Sequence, residues 1–237
     1  MLPATYNGCL HGSPKIRMIS PVARPALIAG SILLLVAATR CNILTDCAPD
    51  PSEIHAVCTP GQTTCGGGPA EPVPDTRQDG ATDITDFPRD QIPAGVLLNV
   101  PNEGRLHVPE ETPPSYQFNP PASGPHFEIP APTGFYCTQL PDGFWVHSLE
   151  HGYIVILFNP TSPFNEINQI ALRFLLQTAP VSPTFGDRKL VVTPYAGLQH
   201  PLCLVAWDRQ LYLDFFDPVA ILHYYQTYID KGPEQEP

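Results

Sequence analysis

Tyr153 to Asn159, "YIVILFN", is apolar at nearly every position, the pattern of a strand at the centre of a sheet with both faces covered. A helical period follows it. Phe164, Ile167, Ile170, Ala171, Phe174 and Leu175 recur at the spacing of one helix face, after Ser162 as a side-chain cap and Pro163 in the first position. These six are expected to face inward. "KLVVTPY" and "CLVAWD" read as further strands, and "LYLDF" continues the second or adds another. Asp217–Pro218 opens a last helix and Gly232–Pro233 closes it, with Ile221, Leu222, Tyr225 and Ile229 inward.

Upstream, "GVLLNV" and "GRLHVP" are two short strand candidates. The prolines from Pro113 to Pro132 then exclude regular structure, because each fixes its own φ and pushes the preceding residue to extended geometry. Such a segment holds a side chain such as His126 in place at low entropic cost. The expected order is β-α-β-β-α in the C-terminal half, after a proline-rich irregular segment. That is an α+β domain: a small mixed or antiparallel sheet with two helices on one face.

Composition changes the picture at the N-terminus. The chain has 237 residues, 31 of them proline, and a formal net charge of -11 that argues against nucleic acid as a partner. Lys15, Arg17 and Arg24 precede an apolar run, Ala26 to Ala38, shorter than the roughly 20 residues of a membrane span. This reads as a signal segment over residues 1–38, with Met18 as an alternative start. The protein is therefore expected outside the cytoplasm: secreted, periplasmic or on the outer surface. Cys41 offers the alternative of lipid attachment, and tethering to a membrane would run through it or through the N-terminal segment. Residues 39–90 show neither period and read as a largely disordered tether rich in Cys, Pro and Gly. The folded domain is expected over 91–237.

Six cysteines remain beyond the signal segment, an even number that reads as disulfides in an exported chain. Cys41, Cys47, Cys58 and Cys65 are expected to pair among themselves in an order that spacing leaves open. Cys137 and Cys203 would then form the domain's own bridge.

The candidate chemistry lies in "HSLEHG". His147 and His151 would be about 13 Å apart in a strand but about 6 Å apart on one face of a helical turn. A shared metal ion thus requires a helical turn over 146–151, which Gly152 can end in the left-handed conformation. His-x-x-Glu-His is also a zinc-peptidase signature, with Glu150 as general base and Glu166 or Glu234 as third ligand. That enzyme needs a long helix continuing past the second histidine, and Gly152 with a β-rich run leaves no room for it. His126, next to Gly124 in the proline-rich segment, supplies a third imidazole. The expected ligand set is His126, His147 and His151, with Glu150 as fourth ligand or as orienter of an imidazole, holding one divalent transition metal: Cu, Zn or Fe. Methionine is absent after Met18, which excludes a thioether-rich Cu(I) site. His107 and His200 are further candidates, while His223 falls mid-helix on a surface position. Two alternatives stand beside this reading: an interaction module in which the histidines are structural, and a metal-dependent hydrolase.

"PPASGPHFEIPAPTGFY", "WVHSLEHGYIVILFNP", "LVVTPY", "LCLVAWDR" and the closing "KGPE" together resemble the bacterial domain-of-unknown-function family 3105, over roughly Asn102 to Glu234. The resemblance implies an exported or membrane-anchored protein and no established activity, cofactor or substrate. Its two motifs map onto Ser123, Gly124, Pro125 and His126, and onto His147 to Gly152. The Cys137 and Cys203 pair departs from the family pattern.

Overall fold

The computed structural model describes residues 47–51 and 79–237. Along the chain run β1 (Thr82–Asp83), β2 (Leu97–Asn99), β3 (His107–Val108), β4 (His126–Phe127), β5 (Gly134–Phe135), α1 (Asp142–Glu150), β6 (Ile154–Phe158), α2 (Asn165–Thr178), β7 (Leu190–Pro194), β8 (Leu202–Ala206), β9 (Arg209–Leu213) and α3 (Pro218–Tyr228). Seven strands form one mixed sheet in the order β1-β2-β9-β8-β6-β7-β5, and β3 pairs with β4 in a separate two-stranded ladder. The fold is α+β. Its C-terminal half follows the expected order, with "LYLDF" falling in β9 as a strand of its own.

The continuous apolar run becomes β6, buried at all five positions, with β7 parallel on one side and β8 antiparallel on the other. Alternation along these strands separates two cores. Ile154, Ile156, Leu190, Val192, Leu202 and Leu204 point to one side, where Leu172 and Leu175 of α2 and Ile221, Tyr224 and Tyr225 of α3 cover them. Val155, Leu157, Val191, Cys203 and Val205 point to the other, where Phe144, Trp145, Val146 and Leu149 of α1 pack. So two helices share a face, as expected, and a third, α1, covers the opposite one.

Asp217 caps α3 through hydrogen bonds from the Val219 and Ala220 amides, ahead of Pro218 in the first turn. The helix ends at Tyr228, before the expected Gly232. The α2 face departs from the expectation at four of its six positions, while Leu175 is buried as expected and Ala171 half-buried. Phe164, Ile167, Ile170 and Phe174 are 51–68% exposed, while Asn168, Leu172, Arg173 and Leu175 are buried. The helix carries two apolar stripes. The one that meets the sheet is Leu172 and Leu175, beside which the Arg173 guanidinium lies 3.7 Å from the centre of the Phe135 ring.

The sheet also begins ahead of residue 91. β1 pairs with β2, and the Asp79 carboxylate accepts from the buried Arg209 guanidinium at 2.7 Å. Cys137 bonds to Cys47, with Cα atoms 5.5 Å apart, and Cys203 is a free, buried thiol. The expected Cys137 and Cys203 bridge is therefore wrong. Cys203 is on β8 and Cys137 follows β5, so β6 and β7 lie between them. That separation is on the order of 14 Å, and Cα atoms beyond about 7 Å cannot be bridged. Cys47 reaches Cys137 because the chain runs alongside β5, where the Ala48 amide donates to the Phe135 carbonyl at 2.7 Å. The expected signal segment, Cys41, Cys58, Cys65 and most of the expected tether lie outside the described residues.

Candidate metal centre

Three short elements meet on the α1 side of the sheet. β3 and β4 pair in parallel with His107 opposite His126, so the two rings project side by side. α1 packs against β4 closely enough that a Cβ on Gly143 would lie 2.6 Å from the Phe127 ring. This contact brings His147 to the same point. The ring centres of His107, His126 and His147 are 4.7, 4.8 and 4.8 Å apart, a nearly equilateral triangle. Glu150, one turn on from His147, closes it from the fourth side, with Oε2 2.8 Å from His126 Nε2 and 3.8 Å from His107 Nε2.

The hydrogen bonds fix which nitrogens face inward. His126 Nδ1 donates to the Gly124 carbonyl at 2.8 Å and His147 Nδ1 to the Phe127 carbonyl at 2.6 Å. A carbonyl only accepts, so each Nδ1 carries the hydrogen and Nε2 is the nitrogen each ring turns away from the backbone. Backbone carbonyls orient metal-binding histidines in this way. Gly124, at φ +121°, places its own carbonyl for that bond in a conformation that side chains resist, against the Tyr116 ring.

Two of the imidazoles, His147 and His107, are held towards the neutral form. Burial, reinforced by the surrounding imidazoles, pushes His147 down to about 2. Burial, then the charge of a neighbouring His126, also lowers His107. Neutral rings are competent ligands. Four buried atoms of this group have no hydrogen-bond partner: both ring nitrogens of His107, Nε2 of His126 and Oε2 of Glu150. Nε2 of His126 and Oε2 of Glu150 sit 2.8 Å apart without forming a hydrogen bond. Two lone pairs at that distance repel unless a proton or a metal ion is shared between them. One ligand atom from each of the four side chains lies within 4.8 Å of all the others. Bond lengths near 2.1 Å limit ligands of one ion to about 4.2 Å apart, so any contraction on binding is at most a few tenths of an ångström. The described residues therefore bring together a His/Glu cluster that could hold a metal.

His151 is not in that group. It caps α1 and turns its Nε2 towards His147 Nε2, 3.1 Å away, and towards Glu234 Oε2, 3.5 Å away. Burial lowers its pKa, against the opposing charge of Glu234, and burial together with Glu150 raises that of Glu234. His107, a secondary candidate in the sequence, takes the place expected for His151. The "KGPE" tail comes back over the site: the Asp230 amide donates to Gly152 O and the Glu234 amide to Glu150 O. Gly232 makes this approach possible, since a Cβ there would lie 2.0 Å from the Glu150 carbonyl oxygen. The peptidase arrangement fails on the helix. α1 stops at Glu150 and Gly152 turns the chain at φ +79°, while Glu150 points into the imidazole triangle. His200 lies apart, between Asp214 Oδ1 and the Ile92 carbonyl, and His223 is exposed as expected. Arg105, which the sequence did not single out, sits at the mouth with Nη1 3.8 Å from Glu150 and 3.7 Å from Glu234.

The model of a family described as "Protein of unknown function (DUF3105)" matches residues 107–237, more than half of the chain. The protein belongs to this family. The matched stretch begins at His107 and contains every member of the His/Glu cluster. No curated protein and no solved structure matches the chain.

Proposed function

We propose that this DUF3105 domain binds one divalent transition-metal ion through His107, His126, His147 and Glu150. The observation that carries the reading is the set of buried ligand atoms without a hydrogen-bond partner on His107, His126 and Glu150, with His147 in the same cluster. A structural histidine cluster would satisfy its nitrogens with hydrogen bonds, because each buried polar atom left unmade costs about 1–3 kcal/mol. Three imidazoles and one carboxylate suit Zn, Cu(II) or Fe. The thiol of Cys203 is on a different strand and plays no part. The ligand set differs from the sequence expectation in taking His107 for His151.

An extracytoplasmic location is part of the proposal. The Cys47–Cys137 disulfide supports it, since such bonds persist in oxidising compartments. Among the described residues no helix is long and apolar enough to cross a membrane, so tethering would fall to the N-terminal segment or to Cys41.

Metal analysis of the full chain, purified without a histidine tag and loaded by dialysis, tests the reading. The expected result is about one tightly held equivalent, as for a closed four-ligand site, lost in His107→Ala and in His126→Ala. Retention of a full equivalent by both variants would overturn the ligand assignment.

A further inference from the structure

We infer that the C-terminal tail builds a second cation position beside the first, from His151, Glu234 and Glu236, so that the domain holds a pair of metal ions. The inference rests on the proposed function for the first position. One ligand atom from each of these three residues lies within 4.8 Å of the other two. His151 is 7% exposed, its Nδ1 has no hydrogen-bond partner, and its Nε2 is turned to Glu234 Oε2 at 3.5 Å. A buried imidazole that clusters with two carboxylates and keeps one ring nitrogen, Nδ1, without a partner is a ligand arrangement, as a surface charge cluster alone is not.

The arrangement is also held from beneath. The Lys189 ammonium, fully buried, donates to the His151 carbonyl at 2.9 Å and to the Glu236 carbonyl at 2.5 Å, and lies 3.3 Å from Asp230 Oδ1. One ammonium thus fixes both the helix cap that carries His151 and the tail that carries Glu236. The Glu234 amide bond to Glu150 O fixes the segment between. A polar tail resting on the surface by chance would not recruit a buried lysine.

The two positions differ in chemistry. The first offers three nitrogens and one oxygen and is buried. The second offers one nitrogen and two oxygens, with Glu234 half-buried and Glu236 exposed. It is harder, wetter and faster to exchange, and suits Zn, Mn or Fe. His147 Nε2 and His151 Nε2, 3.1 Å apart, stand where the two positions meet. Arg105 bridges the same boundary on the carboxylate side, between Glu150 and Glu234.

Equilibrium dialysis of the untagged full chain against Zn(II), with metal measured by mass spectrometry, separates the positions. The wild type is expected to bind about two equivalents, the second lost first to a mild chelator, as its fewer nitrogens and greater exposure require. The double variant Glu234→Gln/Glu236→Gln is expected to bind one. These side chains lie at the surface and their replacement leaves the core untouched, which circular dichroism checks. If wild type and double variant both bind one, the second position does not exist and the first stands. If both bind two, the tail is not its ligand and the inference fails as well. If neither binds any, the first reading has failed and takes this one with it.

Discussion

The two faces of the central sheet are built by different means. One is covered by α2 and α3, and its core is aliphatic side chains with tyrosines whose hydroxyls reach backbone carbonyls, as Tyr224 does at Arg209 and Tyr225 at Pro180. The other is covered by α1 and by two-residue strands set in irregular chain, and it holds the imidazole triangle and Glu150. A regular helix supplies its own backbone partners and needs only an apolar stripe. The irregular cover must find partners for its carbonyls, and His126 and His147 take two of them. The difference teaches where a polar site can be afforded: the segment with backbone groups left over is the one that can orient imidazoles.

Substitution on each face should separate stability from metal retention. Leu204→Ala, in the aliphatic core, is expected to cost about 2–5 kcal/mol in denaturant unfolding while leaving metal content unchanged. His126→Ala should do the converse: metal is lost, and the stability gap from wild type narrows when both are stripped with a chelator. A Leu204→Ala protein that folds but holds no metal would collapse the distinction. Cys47→Ser removes the staple beside β5 and is expected to lower stability by about 2–4 kcal/mol, readable as a lower midpoint that reducing agent reproduces in the wild type.

Asp142 gives a pH test on the face that carries the His/Glu cluster, without involving the cluster itself. Burial raises its carboxyl to about 6, against the hydrogen bond from Tyr195. A carboxyl raised in the folded state favours folding when protonated. Its contribution is full below the unfolded value near 3.8 and is lost as pH rises to about 6. Asp142→Asn should therefore gain on the order of 1–2 kcal/mol at pH 7, the helix N-terminus withholding part of the benefit. The gain should vanish near pH 4, and metal content should not change. A gain that is independent of pH would show that the carboxylate's charge is not the cause. The smallest effect is expected on α2. Phe174→Ser should change stability by less than about 0.5 kcal/mol, because the side chain is 66% exposed. A large loss would mean that the outer stripe is covered in solution.

Much of the fold was legible because its signals were local. Five apolar residues in a row mark β6, and Asp217 before Pro218 marks the start of α3. The α2 error shows the limit. A helix with two apolar stripes satisfies the period either way, and the choice between them belongs to the sheet. The site was half legible. His126, His147 and Glu150 announced themselves by motif, and Gly152 correctly removed the long helix of a peptidase. His107 carried no motif. Its place depends on a two-residue parallel pairing between "LHV" and "PHF" that no periodicity can register. The disulfide was misjudged because cysteine counting ignores strand order. Glu234 was set aside together with the peptidase reading, although Gly232 and Lys189 lay in plain view as the residues that bind the tail down.

On the proposed function, the register that sets His107 against His126 also couples the protein's lifetime to its surroundings. Folding gathers lone pairs that the unfolded chain leaves in water, so the empty domain is penalised for the geometry that makes it a good host. Free metal at a thousand times the dissociation constant adds about 4.1 kcal/mol to the native state, comparable to the loss of a large core side chain. Where proteases clear unfolded chains, scarcity of the ion would then be read out as scarcity of the protein.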